Sequence, residues 1–297
     1  MQLPFEANAV LGLLAAALWG GGDFAGSMAV KRAGSTVRAA LAVIVIGHVL
    51  SFAVVASIAA LTHDTFPHGA ALAWAIGGAS LSAISLVAFY LALADGHMGS
   101  AAAVSGLLCA TVPAIVSAFT EGTPGARRLT GFLLAGIAIW MIASSTEDRA
   151  SASRRAMTLS TCSGIGFGIY FVSLKYAAVG GVLWPMAAAR TGSATTCAIL
   201  LLIMTLARKR EDPLSPFADA SPKLIAIIAT GAALDTGGNL SFLTATRMGR
   251  LDVAAVLASI YPASTILLAA WLLKEHTTTK QRAGMALALA AVVAITL

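Results

Sequence analysis

Ala110-Thr111-Val112-Pro113-Ala114 and Ser259-Ile260-Tyr261-Pro262-Ala263 are the two stretches whose reading decides the fold. Each leads into an apolar run, each run ends in a charged turn, and a glycine then opens another helix, Gly131 in one case and Gly284 in the other. Further back, Gly20, Gly22 and Lys31 match Gly164, Gly166 and Lys175 at one constant offset. Arg38 matches Arg190 once the second copy is given a longer loop containing Trp184 and Pro185. The chain is therefore read as an internal repeat, with residues 1–148 as the first copy and 149–297 as the second.

The runs around these stretches have the length a bilayer demands, roughly 20 apolar residues. Ten spans are predicted, over 7–30, 38–61, 69–94, 100–120, 129–144, 157–178, 184–207, 223–246, 251–273 and 282–297. Short polar connections separate them, and none is long enough for a soluble domain. The 297 residues are 58% hydrophobic and 11% charged, against about 25% charged for an ordinary soluble chain. So few charges cannot make a solvated surface. The fold class is all-α integral membrane protein. Five helices per copy is an odd number, so the two copies must enter the membrane from opposite sides. The expected architecture is ten transmembrane helices as two inverted five-helix repeats around a central cavity, a construction shared by secondary transporters that bind their solute near the midplane.

Net charge +6 does not point to nucleic acid, because the basic residues fall between apolar runs and no basic tract is interleaved with aromatics. They read as topology signals. Most lie after spans one, five, seven and nine (Lys31, Arg32, Arg149, Arg154, Arg155, Arg208, Lys209, Arg210, Lys274, Lys280), which places both termini outside. Met1 runs into the first apolar stretch without a basic n-region or a cleavage signal, so that stretch is read as a helix that stays. Cys109, Cys162 and Cys197 lie far apart inside apolar segments and read as packing residues. His63, His68, His97 and His276 lie at connections and form no metal-like cluster. No metal and no cofactor is expected.

Two carboxylates fall inside the spans. Asp23 sits in Trp19-Gly20-Gly21-Gly22-Asp23, eight residues before Lys31, or roughly 12 Å along a helix. Asp235 sits near the middle of the eighth span. A carboxylate there costs about 2.5–3.5 kcal/mol on insertion scales, so it must face protein or a wet cavity. Trp19, Asp23 and Ser27 share one helix face; Asp235, Asn239 and Phe242 share another. Carboxylate, neutral polar group and aromatic ring together suit a cationic or amphipathic solute, held by ion pairing, hydrogen bonding and cation–π contact. Each aromatic taken alone reads equally as a packing residue. Arg190 reads either as the partner of a carboxylate, as the ligand of a zwitterion's acidic end, or as a snorkelling side chain; Lys175 is a weaker candidate of the same kind. Gly20 and Gly22, with Pro113 and Pro262, are the expected hinge positions, since the glycines permit close approach and each proline removes a backbone hydrogen bond at mid-membrane. Gly20-Gly21-Gly22-Asp23 also fits a GxGD pattern and Asp235-Thr236-Gly237 reads Asp-Thr-Gly, which keeps an intramembrane aspartyl hydrolase as the alternative from another class. The order of the two motifs and the lack of a Pro-Ala-Leu element argue against it.

The stretch from Met248 through Arg250, Asp252 and Ser259 to Pro262 resembles the ninth-helix signature of EamA-type members of the drug/metabolite transporter superfamily. Leu273-Lys274-Glu275-His276 and Gln281-Arg282-Ala283-Gly284 are similar to the motifs that follow it there, with His276 in place of the usual Arg. Leu18-Trp19-Gly20 and Arg38 are similar to the matching first-repeat positions, while the turn after Pro113 is shorter and Glu121 is displaced. The resemblance implies a cavity lined by helices one, three, four, six, eight and nine, and export of an amino acid, amine or other metabolite or drug by proton exchange. It implies both termini in the cytoplasm, against the charge count. The expected setting is the bacterial inner membrane, as a monomer or homodimer, with a small-molecule substrate, protons and the lipid bilayer as partners. An uncoupled facilitator remains the alternative within transport.

Overall fold

The computed structural model describes residues 7–94, 98–143, 154–208, 217, 221–272, 274 and 277–296. Among them are α1 (Ala7–Ala33), α2 (Val37–Leu61), α3 (Ala70–Ala94), α4 (Met98–Thr120), α5 (Ala126–Ala143), α6 (Arg154–Ala177), α7 (Leu183–Leu206), α8 (Pro222–Met248), α9 (Leu251–Ala258), α10 (Tyr261–Leu272) and α11 (Thr279–Thr296). Ser144 and Leu297, at the ends of two predicted spans, lie outside the described residues, as do the repeat boundary at 148 and 149, Arg149, Lys209, Arg210, His97, Leu273, Glu275 and His276. Among the described residues, seven spans, with α9 and α10 counted as one, are long and apolar enough to cross a membrane.

The ninth predicted span stands as one apolar span, but its helix is not continuous. It breaks at Ser259 and Ile260 into α9 and α10. Pro262 is the second residue of α10, where a missing N–H would be unpaired in any helix, so the proline starts a helix instead of bending one. Its sequence counterpart Pro113 lies inside α4, which continues through it. Every residue of α9 is buried, including Asp252.

The helices pair as α1 with α8, α3 with α6, α2 with α7, and α5 with α11; α4 packs on α6 while α1 packs on α9 and α10. Exchanging the first five helices for the second five, with α9 and α10 as one, returns the same set. Small residues permit these close crossings. Gly20 faces Tyr261 and Ser264 of α10, and its match Gly164 faces Ser105 and Leu108 of α4. A methyl group on Gly22 would stand 3.1 Å from the Asp235 backbone nitrogen of α8; its match Gly166 faces Ser85 of α3. Gly131 packs on Ile295 and Gly284 on Met141, which sets α5 and α11 antiparallel. α1 stays helical through Gly20-Gly21-Gly22, so these glycines admit a neighbour without unwinding.

The starts of α1 and α9, the ends of α4, α6 and α8, and the last turn of α11 lie at one end of the bundle, called here the proximal end. Asp64, in the connection between α2 and α3, caps α7 there by accepting from the Leu183 and Trp184 backbone N–H groups at 2.9 and 3.0 Å. The opposite, distal end carries Lys31 and Arg32, both exposed.

Candidate functional site

α1 and α8 cross so that the two membrane carboxylates are neighbours. Gly22 abuts the backbone of Asp235, and the carboxylates of Asp23 and Asp235 are close enough to interact electrostatically. Asp235 is midway along the 27 residues of α8. Their partners differ. Arg190 Nη2 donates to Asp235 Oδ2 at 2.5 Å, and Asn239 Nδ2 donates to Asp235 Oδ1 at 3.2 Å. Asp23 makes no hydrogen bond or ion pair with any described residue, and its side chain is exposed.

Arg190 is itself nearly enclosed, 3% exposed. Nε donates to Ser51 Oγ at 3.1 Å, Nη2 also reaches Thr236 Oγ1 at 3.2 Å, and Nη1 lies 3.0 Å from His48 Nε2. A guanidinium has only donors, so His48 Nε2 is the acceptor. The ring proton is then on Nδ1, which donates to Ser193 Oγ at 2.7 Å. Ser51 and Thr236 bond each other at 2.6 Å. Four of the five guanidinium N–H groups are thus committed to protein. Of the sequence readings of Arg190, the one the structure displays is the carboxylate partner.

The aromatic residues form one stack. Trp19 lies on Phe171 with ring centres 5.1 Å apart and planes 13° apart; Phe242 lies 4.6 Å from Phe171 and 5.7 Å from Trp19. Tyr170 donates to Asn239 Oδ1 at 2.9 Å. Asn239 is therefore a link between α6 and Asp235, with both ends of its amide engaged. From Trp19, which is 8% exposed, the α1 face continues through Asp23, Ser27 and Lys31, all exposed. A polar stripe thus opens toward the distal end and closes on an aromatic floor.

Beneath that floor the proximal end is tied shut by charged groups. Glu121, at the end of α4, pairs with Lys175 of α6, accepts from the Leu251 backbone N–H of α9 at 2.9 Å, and from Ser117 Oγ at 2.5 Å. Arg250 donates to the Glu121 and Gly122 carbonyl oxygens at 3.0 and 2.6 Å and to Asp252 at 2.6 Å. Asn8 donates to the Arg250 carbonyl at 3.4 Å. Lys175, a site candidate by sequence, belongs to this tie and not to the carboxylate pair.

Of the predicted site residues, Trp19, Phe242, Asp235, Asn239 and Arg190 are joined in one network with Asp23 at its rim. His48, Ser51, Tyr170, Phe171 and Thr236 were not read from the sequence. His48 lies inside the second span, and an ionisable residue at that depth is itself the signal.

Arg190→Met is expected to lower thermal stability by about 2 kcal/mol. That is less than the 3–5 kcal/mol for a fully buried broken pair, because the Asp235 side chain keeps 38% of its surface. Thermal melts in detergent check it, and Arg190→Met/Asp235→Asn should recover most of the loss. Equal losses in single and double variants would show that the pair is not coupled.

Residues 154–297 match the model of the EamA-like transporter family. No curated protein matches the chain in sequence. Among solved structures, one described only as "Crystal structure of protein" is similar at TM-score 0.74 and 14% identity, covering 97% of this chain and 95% of its own. At that identity the likeness speaks for the fold alone. The apolar spans and the family match make the chain a multi-pass membrane protein.

Proposed function

We propose, from the premise that this chain belongs through residues 154–297 to the EamA-like transporter family, that it is a secondary transporter exporting a small amine-bearing solute in exchange for protons. The observation that carries this reading is the inequality of the two carboxylates. Asp235 is neutralised by Arg190; Asp23 has no described partner and opens onto an exposed polar stripe that ends at an aromatic stack. A carboxylate left so near mid-membrane needs a cation, and the rings beside it suit the apolar part of an organic one. Asp23 can hold a proton or an ammonium group but not both, and that mutual exclusion is the simplest form of exchange.

The two five-helix units are read as inverted repeats, 1–148 and 149–297. The exchange symmetry of the helix pairs and the matched glycine crossings support this. Alternating access follows from it: the aromatic stack and the Glu121–Lys175–Arg250 tie close the proximal end, while the stripe from Asp23 to Lys31 stays open at the distal end. The break at Ser259 and Ile260 supplies a hinge. The intramembrane hydrolase fits poorly, since a proton-sharing dyad needs two free carboxylates and Asp235 has both oxygens engaged. The setting proposed is a bacterial inner membrane.

The test is solute-driven proton movement in proteoliposomes, with primary amines, amino acids and quaternary amines offered in turn. One class should move protons, and Asp23→Asn should abolish the signal. Counterflow of a labelled solute without any pH change would replace exchange by an uncoupled facilitator.

A further inference from the structure

Among the described residues, three charged side chains lie deep within helices: Asp23, Asp235 and Arg190. Every other described Asp, Glu, Lys or Arg sits in the first or last turn of its helix or in a connection. His48 beside them is uncharged, because its Nε2 accepts from Arg190 while its Nδ1 donates to Ser193. Two carboxylates and one guanidinium leave a single negative charge, and it rests on Asp23, since Asp235 is paired. A cargo with one net positive charge makes this interior neutral. A zwitterion brings a further carboxylate to a place where the guanidinium is already committed to Ser51, His48, Asp235 and Thr236. A dication leaves an unbalanced positive charge at the same depth, as costly there as an unbalanced carboxylate.

The break in the ninth span brings a second group to Asp23. Tyr261 is the first residue of α10. Thr265, one turn on, donates to the Gly20 carbonyl oxygen at 3.2 Å and reaches the Tyr261 carbonyl oxygen at 3.4 Å. A methyl group on Gly20 would stand 2.8 Å from that same Tyr261 oxygen. The start of α10 is thereby pinned to α1 within a turn of Asp23, and the Tyr261 side chain is close enough to Asp23 to interact electrostatically. The Tyr170 hydroxyl is spent on Asn239. The Tyr261 hydroxyl makes no hydrogen bond with any described residue, although its side chain is only partly exposed. A phenol so placed has a hydrogen bond to give.

Resting on the exchange reading above, we propose that the cargo is an organic monocation without a carboxylate, its ammonium group on Asp23 and a neutral acceptor beside it receiving the Tyr261 hydroxyl. Amino acids are excluded by charge; the amino alcohols and amides derived from them belong to the class. Tyr261 then tells such a molecule from a plain amine, and Asp23 tells either from an uncharged one.

Phenylalanine, phenylalaninol and phenethylamine offer one ring to the aromatic floor and differ in the group beside the amine. Isothermal titration into the detergent-solubilised full chain should rank phenylalaninol first. Phenethylamine should bind about five-fold more weakly for want of one neutral hydrogen bond. Phenylalanine should bind at least about 30-fold more weakly, because its carboxylate meets like charge. Tyr261→Phe should erase the difference between the two amines, which a general loosening of the fold would not do. Phenylalanine bound as tightly as phenylalaninol, with both lost in Asp23→Asn, would overturn the proposal and leave the cation site standing. A phenylalaninol preference that survives Tyr261→Phe would overturn it too. Amines bound equally by the unaltered and Asp23→Asn proteins would instead remove the exchange reading, and this proposal with it. Failure of all three to bind, beside proton movement driven by another amine in proteoliposomes, would overturn the cargo class and keep exchange.

Discussion

Asp23→Asn is expected to weaken binding of the transported cation at least about 30-fold while leaving the protein as stable as before, or more so. The first half of this result follows from charge. Asp23 is the one carboxylate of the pair without a described partner, so the ligand's ammonium group loses its counter-ion outright. Truncating one side of a buried charge pair costs about 2–5 kcal/mol in binding, and 2 kcal/mol is close to 30-fold. The second half follows from the empty state. An unpaired carboxylate near the midplane carries an insertion cost of about 2.5–3.5 kcal/mol that the amide largely avoids, and no described partner is left behind to be orphaned. Asp235→Asn should behave oppositely, because it strands the guanidinium of Arg190 among His48, Ser51 and Thr236. Isothermal titration with the cation found in the flux screen, alongside detergent melts, measures both. A destabilised Asp23→Asn protein with unchanged affinity would make Asp23 a structural residue and sink the cation-site reading.

The spans were legible because a bilayer leaves few ways to bury twenty apolar residues. Their ends moved by three residues or fewer, since caps such as Thr36 and Ser221 decide the last turn locally. What the spacing could not show was the break before Pro262. Prolines at matched positions look alike in sequence, yet Pro113 remains inside a helix and Pro262 begins one. The difference lies in the packing around each, which a one-dimensional reading does not contain. The site was half legible for a similar reason. Helical spacing put Trp19 with Asp23 and Asp235 with Asn239, because those relations lie within one helix. The ties that join the faces come from α2, α6 and α7: His48 and Ser51 on Arg190, Tyr170 on Asn239, Phe171 between Trp19 and Phe242. Pairs separated by 69 to 152 positions, from Tyr170 and Asn239 to Trp19 and Phe171, leave no local pattern.

Glu121→Gln is expected to open the proximal end, and this is the larger conformational effect. The carboxylate of Glu121 gathers three elements: Lys175 from α6, the Leu251 N–H of α9 and Ser117 of its own helix. The amide keeps the shape and one acceptor oxygen but loses the ion pair, and it leaves Lys175 without its partner carboxylate. Charge-assisted bonds contribute about 1.5–3 kcal/mol each. Losing one shifts an open-to-closed ratio roughly ten-fold to a hundred-fold. Ala255, on the fully buried α9, is the place to read this. In a background where the exposed Cys162 is replaced by Ser, Ala255→Cys should resist a membrane-impermeant maleimide. Adding Glu121→Gln should raise the labelling rate at least about ten-fold, from the proximal side only. Exchange should slow as well, since a carrier that cannot close one end cannot return its site alternately to the two sides. Labelling that stays slow, in protein whose exchange is unchanged, would mean the aromatic floor of Trp19, Phe171 and Phe242 seals the path alone and the charged tie merely decorates it.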